Sequence, residues 1–321
     1  MSEMSRVIVA GNLTTDVIIS GVDRLPEWGR EVAGNHHRAV TSGQAAYLAF
    51  GLEQLGVKTR LVGIVGDDSA GEAICTDLSA AGVDISSVER PREALTSVTV
   101  ALVGGDGERA FVSDFACQWL FDADFLELHA GAAATPLLCL VGLFNLPGLP
   151  PDRALATFAR ARAAGAATVL DTGWDPAGWP ETTIEATHAL LRETDIFLPN
   201  SAEAEALTGK SDPEQAARAL ADESGSTVIV KCGADGSVAR ANGRTEHVSA
   251  LAGPVLDTVG AGDSFDAGFL YAYLKRKPLR ACLEFATATA AIYIARTSDR
   301  WPTAAEVTQL AEREGLVLGT A

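Results

Sequence analysis

Short runs of β-branched and aliphatic residues alternate with longer alanine-rich stretches along most of the chain. Arg6 to Ala10, Thr59 to Val65, Leu137 to Leu143, Thr168 to Asp171, Asp195 to Leu198 and Thr227 to Lys231 predict strands. Ala45 to Leu55, Ala70 to Ala81, Asp152 to Ala164, Glu203 to Thr208 and Pro213 to Glu223 predict helices, each closed by a glycine or followed by a turn signal. The βαβα order is that of an α/β fold, a doubly wound, mostly parallel sheet with helices on both faces. Two regions break the alternation: Ile18 to Thr41, and Ser97 to Ser113, where Gly104-Gly-Asp-Gly107 reads as a hairpin turn. Both are assigned to a small antiparallel sheet outside the main one. The division expected is a core of residues 1–17, 42–96 and 114–321 carrying the nucleotide site, with a β lid of 18–41 and 97–113.

Composition narrows the partners more than the fold. The 321 residues, 47% of them hydrophobic, fit one large domain with an appendage. A net charge of −17 argues against nucleic acid or an anionic membrane as partner, and any phosphate-bearing ligand must find local backbone donors or a metal ion. The five cysteines are scattered and never paired as C-x-x-C, which points to buried thiols in a reducing compartment. The start carries no signal-like segment and no apolar run approaches the roughly 18 residues of a membrane helix, so a cytoplasmic location is expected.

The segment that carries chemistry is Asp257-Thr-Val-Gly-Ala-Gly-Asp263, feeding Ser264-Phe-Asp-Ala-Gly268 and an apolar stretch with Phe265, Phe269 and Ala272 at helical spacing. Gly260 and Gly262 let backbone approach a ligand, and free N–H groups at the helix start suit an anion. A carboxylate there, Asp263, has a use in phosphoryl transfer: accepting the proton of an attacking hydroxyl. Spacing alone leaves a plainer alternative open, with Asp263 as an N-cap and the glycines only shaping a turn.

Asp257 to Gly268 match D-T-x-G-A-G-D-x-F-x-x-G at every fixed position, and this resembles the C-terminal signature of the ribokinase-like (PfkB) carbohydrate kinases. The resemblance runs roughly from Val7 to Val307. It implies Asp263 as the base that also meets the substrate, Gly260, Ala261 and Gly262 as the backbone around the transferring group, and Thr258 beside the nucleotide. Pro199-Asn-Ser-Ala-Glu203 is similar to the family's magnesium-ordering P-N-x-x-E element, which implies water-mediated roles for Asn200, also counted with the nucleotide, and Glu203. A capping box explains the same spacing. Lys231, Gly233 and Gly236 fall where the family shapes its nucleotide pocket. Asp16 falls where it binds substrate hydroxyls, and Gly43 and Tyr47 stand in the matching helix start. The chain departs from ribokinase at Thr14, Ser42 and Tyr47, which puts ribose itself in doubt.

The implied activity is an ATP-dependent sugar kinase with Mg²⁺, and the family adds a potassium response for which the stretch 295–299 is the candidate. Two alternatives share the fold: a nucleoside kinase with Tyr47 stacked on the base, and a non-catalytic ligand sensor. Trp28, Trp119, Trp174 and Trp179 either line the pocket or pack, and Asp171 either orders phosphates or terminates a strand. An exposed lid sheet offers an edge through which two copies can pair.

Overall fold

The computed structural model describes residues 6–105, 109–131, 134–296 and 300–318. Thirteen strands are present among them: β1 (Val7–Gly11), β2 (Thr14–Val22), β3 (His36–Ser42), β4 (Thr59–Ile64), β5 (Asp84–Glu89), β6 (Val98–Gly104), β7 (Arg109–Asp114), β8 (Leu137–Val141), β9 (Ala167–Asp171), β10 (Ile196–Phe197), β11 (Thr227–Lys231), β12 (Ser237–Ala241) and β13 (Arg244–Val248). Nine of them form one sheet in the order β13-β12-β11-β10-β9-β8-β1-β4-β5. It is parallel from β11 to β5, with β12 and β13 adding an antiparallel edge.

The expected doubly wound architecture is present, and alternation along each strand explains it. Val7 and Val9 of β1 face one apolar layer while Ile8 and Ala10 face the other, so both sides of the sheet need cover. Helices 44–54, 69–80, 261–274, 279–294 and 304–313 supply it on one face, and helices 123–130, 155–163, 181–191, 201–208 and 213–224 on the other. None of the helices is long and apolar enough to cross a membrane among the described residues.

The strand order turns around at β1. Chain leaving β1 returns as β4 on one side, whereas β8 to β11 build outward on the other. That arrangement opens a crevice beyond the carboxyl ends of β1 and β8, where such sheets bind ligands.

The second sheet, β3-β2-β6-β7, covers this crevice. Its pairing begins at Thr14, opposite Ser42, and ends at Asp114, so residues 14–17 belong to its ladder although they were expected in the core. The expectation of a purely antiparallel lid also needs correction: β2 and β6 run parallel. Both leave the same edge of the main sheet, β2 after β1 and β6 after β5, so they head outward together. β6 ends at Gly104 and β7 starts at Arg109; the centre of the proposed hairpin turn, residues 106–108, lies outside the described residues.

Small residues let the site-bearing helix 261–274 sit between its neighbours. A Cβ on Gly268 would lie 2.5 Å from Thr289 Oγ1 and 2.9 Å from Ala286 Cα, and one on Gly51 would lie 2.6 Å from Ala267 Cβ. The last glycine of the signature is therefore a packing glycine. Gly268→Ala is expected to lower stability by roughly 1–3 kcal/mol, the usual range for overpacking. A urea midpoint shift with an unchanged m-value measures it; an unshifted midpoint would show that helix 279–294 gives way freely.

Candidate active site

Between the small sheet and the crevice lies a cleft of about 720 Å³. It collects side chains from far apart in sequence. Asn12 follows β1; Thr14, Asp16, Thr99, Phe111 and Ser113 come from the lid; Gly43, Gln44 and Tyr47 from the start of helix 44–54; Asn145, Trp174, Asn200 and Glu203 from chain following the sheet; and Thr258, Gly260 and Asp263 from the glycine turn.

The turn is built to leave its helix uncapped. Gly260 is the N-cap, with φ 79° and no side-chain oxygen to offer the first-turn N–H groups of helix 261–274. A Cβ there would lie 2.7 Å from the Tyr293 hydroxyl oxygen and 3.1 Å from Tyr47 Cδ2, so glycine is required by both conformation and space. Asp263 is the third residue of the helix and not its cap, which removes the capping explanation for it. Asp257 instead accepts from the Val259 N–H at 2.9 Å and forms an ion pair with Arg38 of β3, tying turn to lid.

Burial sets the acidity here. Desolvation, reinforced by the charge of Asp171 and opposed by Lys231, pushes the Asp263 carboxyl up to about 7. Asp16 is lifted to about 6 by burial, against the lowering effect of the Ser42 hydroxyl, which donates to its Oδ2 at 2.7 Å. Asp16 Oδ1 has no partner. Thr14 donates to the Ser97 carbonyl at 2.9 Å. Two of the positions that differ from ribokinase thus hold the lid end of the cleft in shape.

Asn200 and Glu203 form a capping box. Asn200 Oδ1 accepts from the Glu203 N–H at 2.9 Å and Glu203 Oε2 from the Asn200 N–H at 2.9 Å, while Asn200 Nδ2 donates to Glu203 Oε1 at 2.6 Å. Burial first, then the neighbouring Asp171, raises Glu203 to about 7 despite Lys231. Both carboxylate oxygens keep a free lone pair in this arrangement, which fits a water-mediated approach to a cation. No three His, Cys, Asp or Glu side chains converge as a metal cage among the described residues.

Several expected site residues stand elsewhere. Lys231 does not line the cleft: its Nζ lies 2.8 Å from Asp171 Oδ2 and 2.9 Å from Asp266 Oδ2. Gly233 and Gly236 shape the β11–β12 turn, and a Cβ on Gly236 would lie 2.1 Å from the Val248 carbonyl oxygen. Ala261 and Gly262 open helix 261–274 without lining the cleft. Tyr47 touches the cleft but is buried, its ring 5.8 Å from that of Trp301, so it offers no open face for a base. Of the four tryptophans singled out, Trp174 alone lines the cleft; Trp179 is buried, and Trp28 and Trp119 are exposed. Thr297 to Asp299 of the potassium candidate lie outside the described residues.

Sequence reasoning missed Asn12, Gln44, Gln118, Asn145 and Phe111. Asn12 had a signal, a polar residue directly after a central strand; Gln118 and Asn145 had none. Gln118 is buried with its Nε2 donating to the Leu13 carbonyl at 2.8 Å and the Ile64 carbonyl at 3.1 Å, leaving Oε1 unpartnered.

Residues 4–304 match the family model described as pfkB family carbohydrate kinase. The chain belongs to the pfkB family of carbohydrate kinases. It is 31% identical over 298 residues to an ATP-dependent ribose-1-phosphate kinase of Halopiger xanaduensis, covering 92% of this chain and 94% of that one. It is 30% identical over 284 residues to a 5-dehydro-2-deoxygluconokinase of Shouchella clausii, covering 85% and 86%. In fold it matches a putative ribokinase II from E. coli in complex with ATP and Mg²⁺, with a TM-score of 0.80 at 22% identity over 97% of this chain and 100% of that one. This pfkB kinase is accordingly an ATP-dependent sugar kinase, a phosphotransferase with an alcohol acceptor.

The raised carboxyl of Asp263 carries a sign for stability. Its folded value lies above its unfolded one, so the stability it contributes is present at low pH and lost as pH rises through about 7. Asp263→Asn has no charge to bury and should be the more stable form at pH 8, by on the order of 4 kcal/mol for a rise of about three pKa units. The gap should shrink by pH 6. Denaturant midpoints at the two pH values measure it, and a gap independent of pH would show that the carboxyl is not desolvated as described.

Proposed function

We propose that this kinase transfers the γ-phosphoryl group of ATP to a hydroxyl of an uncharged sugar, with Asp263 as the base. The observation that carries the substrate class is the charge of the cleft. Its lining includes Asp16, Asp114, Glu203 and Asp263 and no Lys, Arg or His among the described residues. A sugar phosphate or sugar acid would meet only like charge at the acceptor end, at a cost of several kcal/mol without a counter-ion. A neutral polyol meets hydrogen-bond acceptors: Asp16 Oδ1 and Gln118 Oε1, both buried and unpartnered. The preference would therefore differ from the ribose-1-phosphate named for one relative and the gluconate-type acid named for the other.

In this reading Asp16 accepts from substrate hydroxyls, a role suited to an ionised acceptor, and Gly43 keeps the helix start clear beside it. A Cβ on Gly43 would lie 2.3 Å from the Asn12 carbonyl oxygen. Asp263 takes the proton of the attacking hydroxyl, and a value near 7 suits a base working at neutral pH. On the same reading the Gly260–Gly262 backbone at the helix start faces the charge that develops on the phosphoryl oxygens, aided by the helix dipole, with the Ala261 N–H already donating to the Thr258 carbonyl at 3.2 Å. Thr258 and Asn200 flank the phosphate end. Mg²⁺, when bound, neutralises phosphate charge; Asn200 and Glu203 would hold it through water. Gly233 and Gly236 act on the nucleotide only by shaping the turn after β11. The Arg38–Asp257 pair joins lid to turn, so closure over the substrate would exclude water as a competing acceptor. Pairing of two copies through the lid remains part of the proposal, with the edge strands β3 and β7 as its surface.

A nucleoside substrate is the second reading, and its support moves from Tyr47 to Trp174 and Phe111. These rings are 53% and 56% exposed and both line the cleft, where a base or another apolar aglycone has a surface to lie on.

A panel of neutral sugars, sugar phosphates, sugar acids and nucleosides, followed by ADP release, decides among these. Turnover is expected with neutral sugars; a sugar phosphate or acid as best substrate would overturn the charge argument, and a nucleoside would select the second reading. With the best acceptor, Asp263→Asn should lower turnover by about two to four powers of ten while nucleotide binding persists. The kcat/KM of the wild-type enzyme should rise with pH through about 7 as Asp263 loses its proton. Rates compared in potassium and sodium salts test the monovalent-cation response.

A further inference from the structure

The transfer scheme leaves Lys231 without a task, yet its ammonium is fixed directly beneath the glycine turn. Nζ lies 2.8 Å from Asp171 Oδ2, at the end of β9, and 2.9 Å from Asp266 Oδ2, in helix 261–274 three residues after Asp263. It is also 3.6 Å from where a Cβ on Gly262 would sit. Asp171 and Asp266 are buried, and Lys231 nearly so. Asp171 Oδ1 accepts from the Gly173 N–H at 3.0 Å and from Gln44 Nε2 at 3.3 Å. These bonds tie the ends of two parallel strands to one helix.

Charges withdrawn from water are stable only where their partners are held close. Without the ammonium, the two buried carboxyl groups, which already lie within reach of each other, would lose the positive charge that both of them face. The strands are locked by their ladders, so the helix start is the part free to shift. Lysine suits the position as a compact point charge set between two carboxyl groups.

We propose that Lys231 is a positioning residue for phosphoryl transfer: by holding Asp266 against Asp171 it fixes the first turn of helix 261–274, and with it the Gly260–Gly262 amides and Asp263. The inference rests on the reading of that turn and of Asp263 as the transfer machinery. Lys231 touches neither substrate nor nucleotide in this role, so its loss acts on turnover and not on binding.

The test uses the full chain with Mg²⁺, ATP and the best neutral sugar, and compares Lys231→Met, Asp266→Ala, the double variant and Asp263→Asn. Lys231→Met should lower kcat about 100-fold, the scale of a misplaced reacting group, with Asp266→Ala close to it. KM for sugar and ATP should change by less than about threefold, since a transition-state interaction is lost and uniform binding is not. The double variant should be no slower than Lys231→Met beyond about threefold, because one strut is removed twice. Thermal melting at each step gives the folded fraction by which rates are corrected. If Lys231→Met does not fold, the double variant carries the test, since removing both partners of a buried pair is tolerated better than removing one.

Corrected turnover of Lys231→Met or, where that variant does not fold, of the double variant within about threefold of wild type overturns the proposal. So do losses that multiply in the double variant, a loss confined to KM, or a double variant that cannot fold, which would assign the network to stability alone. Wild-type turnover in Asp263→Asn would instead sink the reading beneath it, whatever the Lys231 variants do.

Discussion

One ammonium faces four carboxylates at the carboxyl edge of the main sheet. Lys231 pairs with Asp171 and Asp266 and is felt electrostatically by Glu203 and Asp263, so the group carries a negative excess in a place poorly reached by water. The excess shows in the directions of titration. Burial disfavours the charged Lys231, but Asp171 and Asp266 more than reverse this and hold its pKa above the ordinary value. Asp171 falls below its ordinary range although burial opposes it, because Lys231 sits against it, while Asp266 is pushed well above its range by burial and by Asp171. Asp171 and Asp266 are thus driven in opposite directions, and the members without a direct ion pair, Asp263 and Glu203, are each raised to about 7. An arrangement optimised for stability would not keep so many carboxylates together; a site that must accept a proton has reason to.

How much of this was legible in the sequence depends on whether the determinant is local. The central strands were found because β-branched runs such as Thr227 to Lys231 have no competing helical reading. Boundaries moved by a residue or two at helix starts: Ser69 and Ser201 open their helices with Asp68 and Asn200 as caps. Helix 181–191 went unnamed because Glu-Thr-Thr-Ile-Glu-Ala-Thr-His is rich in β-branched residues, and burial of Thr187, Leu190 and Leu191 overrides that propensity. Strands β12 and β13 alternate polar with apolar residues weakly, and only the pairing of β12 with β11 and of β13 with β12 makes them strands.

Within the site the same rule holds. The glycine turn, the capping box and Asp16 announce themselves by residue type and spacing, whereas Gln118 and Asn145 reach the cleft only through the path of the chain. The surroundings of Lys231 and Tyr47 were illegible in the sequence for a shared reason. Family spacing puts both near ligands, but whether a side chain faces the cleft or the layer behind it depends on neighbours distant in sequence: Asp266 for the lysine, Trp301 for the tyrosine. Tyr47 and Tyr293 press on Gly260 from behind, so the aromatic cluster supports the turn that an exposed ring would have left empty.

The acidity of the cleft connects the charge of the whole chain to its chemistry. A net charge of −17 and a cleft without a basic side chain among the described residues both repel a polyphosphate, yet the fold belongs to kinases that use ATP and Mg²⁺. The repulsion is useful if the phosphates enter only as their magnesium complex, because free nucleotide is then discriminated against by the same field that keeps carboxylates protonatable. Backbone N–H groups complete the arrangement: they attract an anion without a side chain whose charge would drive the Asp263 carboxyl back down. A lysine or arginine lining the cleft would attract phosphate more strongly and would lower the proton affinity of Asp263. The ammonium of Lys231 lies beneath Gly262 already paired to Asp171 and Asp266, so it stands beside the turn while Asp263 keeps a raised affinity for a proton.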